Sequence, residues 1–260
     1  MSSFLKIGWF TSAKGEGSYG LFNETIKAIE DRELKAEIRF VFVNRDFGQS
    51  KKTDSFISLV KSKNIPLITF SSKKFRENNN NLPWKNLRND YDNKVISKLR
   101  NFHVDFSVHA GYMLIAPILC SYYKTINLHP ALPGETIGMW QQAIWDVIFS
   151  NKNHTGAMIH ISTKKVDEGP VISFCKFSVK NKNYKDLWSE KNLYTREKIL
   201  KIIGEKLPLF QKIRADGLIR ERPLMIETLK AIGSGKISLE NPTTPINLTK
   251  SIEQNILLNP

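Results

Sequence analysis

The sequence has few cysteines and no long apolar run, and each of these features argues against a class of protein. Only Cys120 and Cys175 occur in 260 residues, each inside an apolar stretch. Such isolated cysteines predict buried free thiols in a reducing compartment rather than a disulfide framework or a cysteine metal site. No apolar run approaches the roughly 18 residues that a membrane helix needs, and no signal-peptide pattern precedes the first strand. We therefore expect a soluble, cytoplasmic chain with no membrane contact and no metal.

Acidic residues are also scarce relative to basic ones. The chain has 39 Lys and Arg against 25 Asp and Glu, which gives a formal net charge of +14. Such an excess can attract nucleic acid or an anionic substrate. Because it is mostly lysine dispersed along the chain rather than clustered in a stripe, a dispersed basic surface is the favoured interpretation. A nucleic-acid partner is not expected.

Alternating strand and helix patterns predict the fold class. Short apolar runs bounded by polar residues alternate with segments of helical spacing, which is typical of an α/β fold with a parallel sheet. Strands are predicted over 5–11, 36–43, 66–70, 104–110, 125–128, 156–162 and 169–179. We expect a Rossmann-like, mostly parallel sheet with helices on both faces, an antiparallel hairpin near the C-terminal side and a helical C-terminal extension.

Helical spacing defines the rest of the predicted organisation. Helices are predicted over 21–29, 54–62, 91–102, 117–122, 139–149, 197–214 and 220–232. The apolar face of the helix 139–149 is predicted to be core, with Trp140, Ile144, Val147 and Ile148. The Asn-rich stretch 71–89 reads as a mobile surface insertion, and 233–260 as an extended arm on the body or on a partner subunit. The predicted division is a main domain over 1–217 and a tail over 218–260. The sequence leaves open whether the chain forms a homodimer.

A glycine-rich segment joins the first strand to the first helix. A helix N-terminus there would direct free N–H groups and the positive end of its dipole at one point, which favours a phosphate or similar anion. The candidate anion-binding residues are Ser12, Gly15, Gly17 and Ser18. The segment 15–20 also spells G-x-G-x-x-G, with Asp46 as a possible ribose-binding acid, so a nicotinamide dinucleotide is an alternative occupant. A purely structural turn is the third interpretation.

Three polar residues follow strands in the second half of the chain. Asn127 and His129 are two positions apart at a strand end, so their side chains project to one face. An Asn amide can donate to a developing oxyanion, and a His can donate a second hydrogen bond or move a proton. Asp167, in a Gly-flanked loop, can fix the His tautomer or accept a proton through water. Since no Ser or Cys stands beside His129 as a nucleophile, direct acyl transfer is favoured over a covalent intermediate.

These residues carry a family resemblance. The order Asn127-x-His129-Pro130, then Thr155-Gly156 with His160, then Asp167-x-Gly-Pro resembles the folate-dependent formyltransferase family, closest to its phosphoribosylglycinamide branch. The resemblance runs from about residue 6 to residue 214. It includes the early Ser/Gly turn and the segment 109–113, which is similar to the family's loop on the folate pteridine.

The resemblance implies an activity and roles. The activity is transfer of a formyl group from 10-formyltetrahydrofolate, as co-substrate, to a primary amine. The leading acceptor is glycinamide ribonucleotide, a phosphorylated small molecule, and an amino-sugar nucleotide is the alternative acceptor. Methionyl-tRNA is disfavoured, because its enzyme normally carries a C-terminal barrel of strands and the sequence from Leu218 on is too short and too helical for one. A non-catalytic binding protein on the same fold is the alternative from another class. By carry-over, Asn127 and His129 stabilise the oxyanion and Asp167 relays the amine proton, with His160 and Thr155 in support. The folate-binding residues would be Met113, Leu114, Ile115, Val166, Glu168 and Gly169.

The sequence departs from the family pattern on the substrate side. Leu114 stands where the family usually has Arg, which removes a cationic contact from the glutamate end of the folate. The early turn is longer than the usual phosphate turn. The family's acceptor-binding Gln/Glu pair on the late helix has no clean match, because the spacing of Glu205 to Pro208 is wrong. These departures bear on the identity of the amine.

Overall fold

An eight-stranded sheet organises the chain in the order β3-β2-β1-β4-β5-β6-β7-β8. This computed structural model describes residues 4–258, so the outermost parts of the predicted domain and tail, 1–3 and 259–260, lie outside the described residues. The strands are β1 Leu5–Thr11, β2 Ala36–Val43, β3 Leu67–Thr69, β4 Phe106–His109, β5 Thr125–His129, β6 His154–Ile161, β7 Val171–Ser178 and β8 Ile246–Asn247. Among these described strands only β6 runs against the others, pairing antiparallel with β5 and β7. The mostly parallel sheet and its hairpin confirm the predicted fold class.

Helices cover both faces of the sheet. They are α1 Glu16–Glu30, α2 Lys51–Ser62, α3 Ser72–Glu77, α4 Trp84–Leu99, α5 Leu119–Tyr122, α6 Trp140–Phe149, α7 Lys185–Asn192, α8 Arg196–Lys198, α9 Pro208–Gly233 and α10 Thr249–Leu258. Short 3-10 turns at Lys182–Tyr184 and Gly204–Lys206 and a π-helical turn at Ile199–Ile203 connect the later helices. No helix within residues 4–258 is long and apolar enough to cross a membrane.

The central strands are buried on both faces, which explains their continuous apolar runs. In β1, Trp9 joins a core formed with α1, α2, α9 and α10, while its neighbour Phe10 joins the opposite core with α3, α4 and α5. In a third apolar cluster, α6 and α7 pack against the first half of α9. The helix α6 buries Ile144, Val147 and Ile148 as predicted, whereas Trp140 is only partly buried.

The Asn-rich stretch is not a surface insertion. It folds into α3 and the start of α4, and Phe75 and Leu87 are buried in the core that also contains Phe10, called the second core below. Asn80 and Asn81 have positive φ of 55° and 53° in the turn between the two helices. Asn tolerates this left-handed conformation better than most residues. The run of Asn therefore makes a turn between packed helices, and composition alone was misleading.

The first helix begins earlier than predicted. Because α1 starts at Glu16 with Gly15 as its N-cap, Gly17 and Gly20 lie inside the helix and not in a loop. A Cβ on Gly20 would stand 2.6 Å from Nε of Arg222, so this glycine allows a close approach of α9. Asp46 forms an ion pair of 2.9 Å with Lys74. The glycine loop and the free acid that a dinucleotide site needs are therefore both missing here.

The C-terminal part of the chain is built into the body. The two helices predicted over 197–214 and 220–232 differ from the structure, where α9 runs unbroken across the expected boundary at 217/218. The predicted extended arm instead forms β8, which pairs with β7, and α10, whose Ile252 is fully buried. Residues 234–258 thus complete the sheet edge and its covering layer.

Candidate active site

A cavity of about 420 Å³ opens beyond the carboxyl ends of β4 and β5. Its walls come from the loops after these strands, the loop between β6 and β7, the first turn of α1 and the middle of α9. This edge is where open α/β sheets bind their ligands. A wider depression of about 580 Å³ beside Phe47 and Asp54 is a shallow surface that holds none of the predicted site residues.

The predicted polar residues meet in this cavity. The amide Nδ2 of Asn127 donates to Oδ1 of Asp167 at 3.2 Å. The second carboxylate oxygen, Oδ2, lies 3.5 Å from Nδ1 of His129. On the other side, Nε2 of His160 lies 3.3 Å from Oδ1 of Asp167. Asp167 is therefore flanked by an amide and two imidazoles, and the four residues are called the Asp167 cluster below.

The sheet register and one loop hold the Asp167 cluster in place. Asn127 on β5 stands directly opposite His160 on β6, so their side chains share a face. Asp167 lies in the β6–β7 loop with φ 52°, and its Oδ2 accepts the backbone N–H of Gly138 at 3.0 Å. Gly169 closes that loop against β6, where a Cβ would stand 1.7 Å from the carbonyl oxygen of Ile161. The loop can fold this way only with glycine at that position.

Backbone carbonyls fix the tautomers of both histidines. Nε2 of His129 lies 2.7 Å from the carbonyl oxygen of Thr136, and Nδ1 of His160 lies 3.1 Å from that of Ile161. A carbonyl only accepts, so these nitrogens carry the protons. The opposite nitrogen of each ring then faces Asp167 with its lone pair when the ring is neutral. One added proton on either ring converts that contact into a charge-assisted hydrogen bond, so the Asp167 cluster is built to take up a proton.

The electrostatics keep Asp167 ionised. Burial acts to raise the pKa of the Asp167 carboxyl. A hydrogen bond from the protonated ring of His160, the positive charge of the protonated ring of His129 and the N–H of Gly138 outweigh burial, so the pKa lies below the ordinary 3.8. A carboxylate beside two imidazoles suits proton relay near neutral pH.

The other predicted site residues divide into two groups. Met113, Leu114, Ile115 and Val166 line the cavity, as do Gly17 and Ser18 of α1. Ser12 is fully buried and its hydroxyl accepts the N–H of Met113 at 2.8 Å, so it fastens the loop after β4 to β1. Cavity-lining positions do not include Gly15, Thr155, Glu168 or Gly169. The binding roles of all these residues stay predictions.

Sequence reasoning missed an ion pair on α9 that faces the cavity. Nη1 of Arg214 lies 2.6 Å from Oε1 of Glu221, which is only 3% exposed, and both residues line the cavity. The guanidinium stacks over the Trp140 ring at 4.6 Å. The two charges are seven positions apart, which is two helical turns and one face. That signal was hidden because 197–214 and 220–232 were interpreted as separate helices.

These features define the class: an α/β protein with a cluster of polar side chains in a cavity at the carboxyl edge of its sheet. A profile of the formyl transferase family matches residues 10–200. The chain belongs to the formyl transferase family, which confirms the resemblance drawn from the Asn, His and Asp motifs.

Named relatives lie in the same family. A phosphoribosylglycinamide formyltransferase of Dictyostelium discoideum is 32% identical over 158 residues, which cover 56% of this chain and 72% of that protein. A methionyl-tRNA formyltransferase of a Wolbachia strain is 34% identical over 123 residues, covering 44% of this chain and 40% of that protein. Among solved structures, glycinamide ribonucleotide transformylase 1 of Symbiobacterium toebii has a TM-score of 0.67 at 16% identity, with 92% of each chain covered.

Proposed function

We propose that the chain transfers a formyl group from 10-formyltetrahydrofolate to the amine of glycinamide ribonucleotide. The observation that carries this proposal is the Asp167 cluster, in which an ionised carboxylate contacts an amide and two imidazoles inside a cavity. Membership of the formyl transferase family supports the reaction type. The relative from Dictyostelium, which bears the name of that activity, supports the acceptor. The free thiols Cys120 and Cys175 support a reducing, cytoplasmic location.

The co-substrate supplies the formyl group when bound, and its flat ring suits the apolar wall formed by Leu114, Ile115 and Val166. Asn127 offers amide N–H groups to the oxygen of the formyl group as the amine nitrogen attacks. The amine loses one proton as the new C–N bond forms, and Asp167 with the two imidazoles holds it. The same proton goes to the nitrogen that leaves the formyl carbon, so the cluster returns to its starting state.

The acceptor side of the cavity supports a phosphorylated amine. Gly17 and Ser18 in the first turn of α1 line the cavity, and the dipole of a 15-residue helix favours an anion near this end. Arg214 adds guanidinium N–H groups beside the same turn, since its Nη2 would stand 3.1 Å from a Cβ on Gly17. Phosphate and ribose hydroxyls would match this arginine and the carboxylate of Glu221 respectively.

A second acceptor class is favoured by one observation. The Wolbachia relative is named for methionyl-tRNA, and the net charge of +14 would assist a nucleic-acid acceptor. The match covers only 40% of that relative, so the glycinamide acceptor stands first.

A single acceptor screen tests the proposal. The purified chain is incubated with 10-formyltetrahydrofolate and, in parallel, glycinamide ribonucleotide, an amino-sugar nucleotide or methionyl-tRNA, and released tetrahydrofolate is measured. We expect turnover with glycinamide ribonucleotide and an Asp167→Asn variant that is nearly inactive. An Asp46→Asn variant is the matched control, because its carboxylate pairs with Lys74 outside the cavity. Turnover with only one of the other amines would identify that amine as the acceptor in place of glycinamide ribonucleotide. No turnover with any of the three acceptors would refute the proposed reaction.

A further inference from the structure

The middle of α9 combines two charged cavity residues with two residues that weaken a helix. Arg214 and Glu221 line the cavity from α9, while Gly217 lies between them and Pro223 just beyond. Glycine has a low helix propensity, and a proline has no N–H for the carbonyl four residues earlier, here that of Ile219. A helix that continues through both residues depends on support from its neighbours.

Part of this support comes from α10. The carboxylate of Glu253 accepts two hydrogen bonds from the guanidinium of Arg220, from Nε at 2.6 Å and from Nη2 at 3.0 Å. The third nitrogen, Nη1, donates to the backbone carbonyl of Asp216 at 2.8 Å. The same guanidinium lies over the ring of Phe177 in β7, 4.4 Å from its centroid. Arg220 therefore joins one turn of α9 to both α10 and the sheet.

The start of α10 is itself fixed to the sheet. The N–H of Leu248 donates to the carbonyl of Phe174 at 2.9 Å, and Oγ1 of Thr249 accepts the N–H of Lys176 at 3.0 Å. Ile252, one position before Glu253, is fully buried in the first core. Glu253 thus projects from a helix that cannot shift without breaking these contacts.

Arg220 and the cavity residues face different ways. Adjacent residues of a helix point about 100° apart, so Glu221 faces the cavity while Arg220 faces β7 and α10. A bidentate pair of arginine and carboxylate is charge-assisted and directional. The side chain of Arg220 is only 15% exposed, which protects this pair from screening. The pair therefore fixes the rotation of α9 about its axis, and with it the direction of Arg214 and Glu221.

We propose that Glu253 is a positioning residue, which acts through Arg220 to hold the middle of α9 so that Arg214 and Glu221 face the bound amine. The match to the family profile ends at residue 200, so this contact lies in a part of the chain beyond it. The inference rests on the proposed function for the amine, and it adds a control of amine affinity from outside the cavity. Proton transfer belongs to the Asp167 cluster and does not involve Glu253.

Local hydrogen exchange and steady-state kinetics test this role together. In Glu253→Ala, amide exchange is followed over residues 214–222, and KM is measured separately for glycinamide ribonucleotide and for the donor. Exchange over this range should become at least about threefold faster, because the turn opens more often. The KM for the amine should rise about three- to tenfold, as expected if only about a tenth to a third of the molecules present the pair correctly. The kcat and the KM for the donor should change by less than about twofold.

A milder variant and a matched control separate positioning from loss of stability. Glu253→Gln keeps one acceptor oxygen for Arg220, so its KM for the amine should lie between those of the wild type and Glu253→Ala. The control is Glu33→Gln, which removes a partner of Lys230, 3.4 Å away, from a later part of α9 that does not line the cavity. It should leave both KM values unchanged. If Glu253→Ala does not fold, the same measurements on Glu253→Gln decide.

Three results would overturn the inference while formyl transfer by the wild-type chain stood. They are unchanged exchange over 214–222 in Glu253→Ala, faster exchange with an unchanged KM for the amine, and an equal rise in both KM values. If the wild-type chain transferred no formyl group to any amine, the proposed function would fail. The exchange rates alone would then show whether Glu253 holds α9.

Discussion

Replacing Asp167 by Asn perturbs the Asp167 cluster with the least change in shape. The substitution removes the charge and one acceptor, while the side chain keeps its size. Oδ1 now accepts from Asn127 and Oδ2 accepts from Gly138 at 3.0 Å, so an amide group leaves one of these donors facing an NH₂. A proton taken up by His129 or His160 would also lose its negative partner. Both effects act on the transition state more than on ligand binding.

The expected loss follows from these contacts. General acid–base catalysis and oxyanion stabilisation each contribute roughly 10² to 10⁴ in rate. We therefore expect kcat for formyl transfer to fall by about 10² to 10⁴, equivalent to roughly 3–5 kcal/mol of barrier. The KM for the donor should change by less than about threefold, since the role proposed for Asp167 concerns the reacting atoms and not the apolar wall proposed for the donor's ring.

The assay must separate chemistry from folding. Steady-state release of tetrahydrofolate gives kcat and KM, and circular dichroism reports the fold. The pKa of Asp167 lies below 3.8 in the folded chain, so its charge stabilises the fold at neutral pH and that contribution is lost as pH falls below 3.8. The variant should therefore be less stable than wild type at pH 7 and approach it in acid. A folded variant with wild-type kcat would refute the proton-holding role.

The remaining predictions concern the loop, the acceptor side and the second core. Gly169→Ala should abolish transfer and lower Tm by several degrees, because the added Cβ would lie 1.7 Å from the carbonyl oxygen of Ile161; an unchanged Tm would show that the loop folds differently. Arg214→Met should raise KM for the amine about tenfold or more and spare KM for the donor, whereas an equal rise in both would place Arg214 outside the acceptor subsite. Burial raises the pKa of Asp92 to about 6, so wild-type stability should fall as pH rises from about 4 to 6, and Asp92→Asn should lose this slope in pH-dependent unfolding; an identical slope would contradict a buried acid there.

The fold and the polar cluster were predictable because local patterns determine them. Short apolar runs, separated by segments with helical spacing of apolar residues, predicted the sheet. The two-residue periodicity of a strand predicted that Asn127 and His129 lie on one face. Asp167 could be added through the family motif. Its contact with Asn127 at 3.2 Å depends on the antiparallel turn of β6, which the hairpin prediction had included.

The parts that were missed depend on long-range packing. Contacts with the sheet and with α1 stabilise α9 along its length, so the helix continues through Gly217 and Pro223. The Arg214–Glu221 pair forms on this continuous helix, and two separate predicted helices could not indicate it. The Asn-rich segment looked mobile by composition, although Phe75 and its neighbours give it an apolar face. The pairing of Arg220 with Glu253 joins residues 33 positions apart, and no local spacing in the sequence indicates it.

The proposed formyl transfer is tested most directly by the rate of tetrahydrofolate release when the wild-type chain is incubated with 10-formyltetrahydrofolate and glycinamide ribonucleotide together. We expect turnover that requires both substrates and yields the formylated amide in equal amount. Release that is independent of the amine, or turnover confined to a different amine, would contradict it.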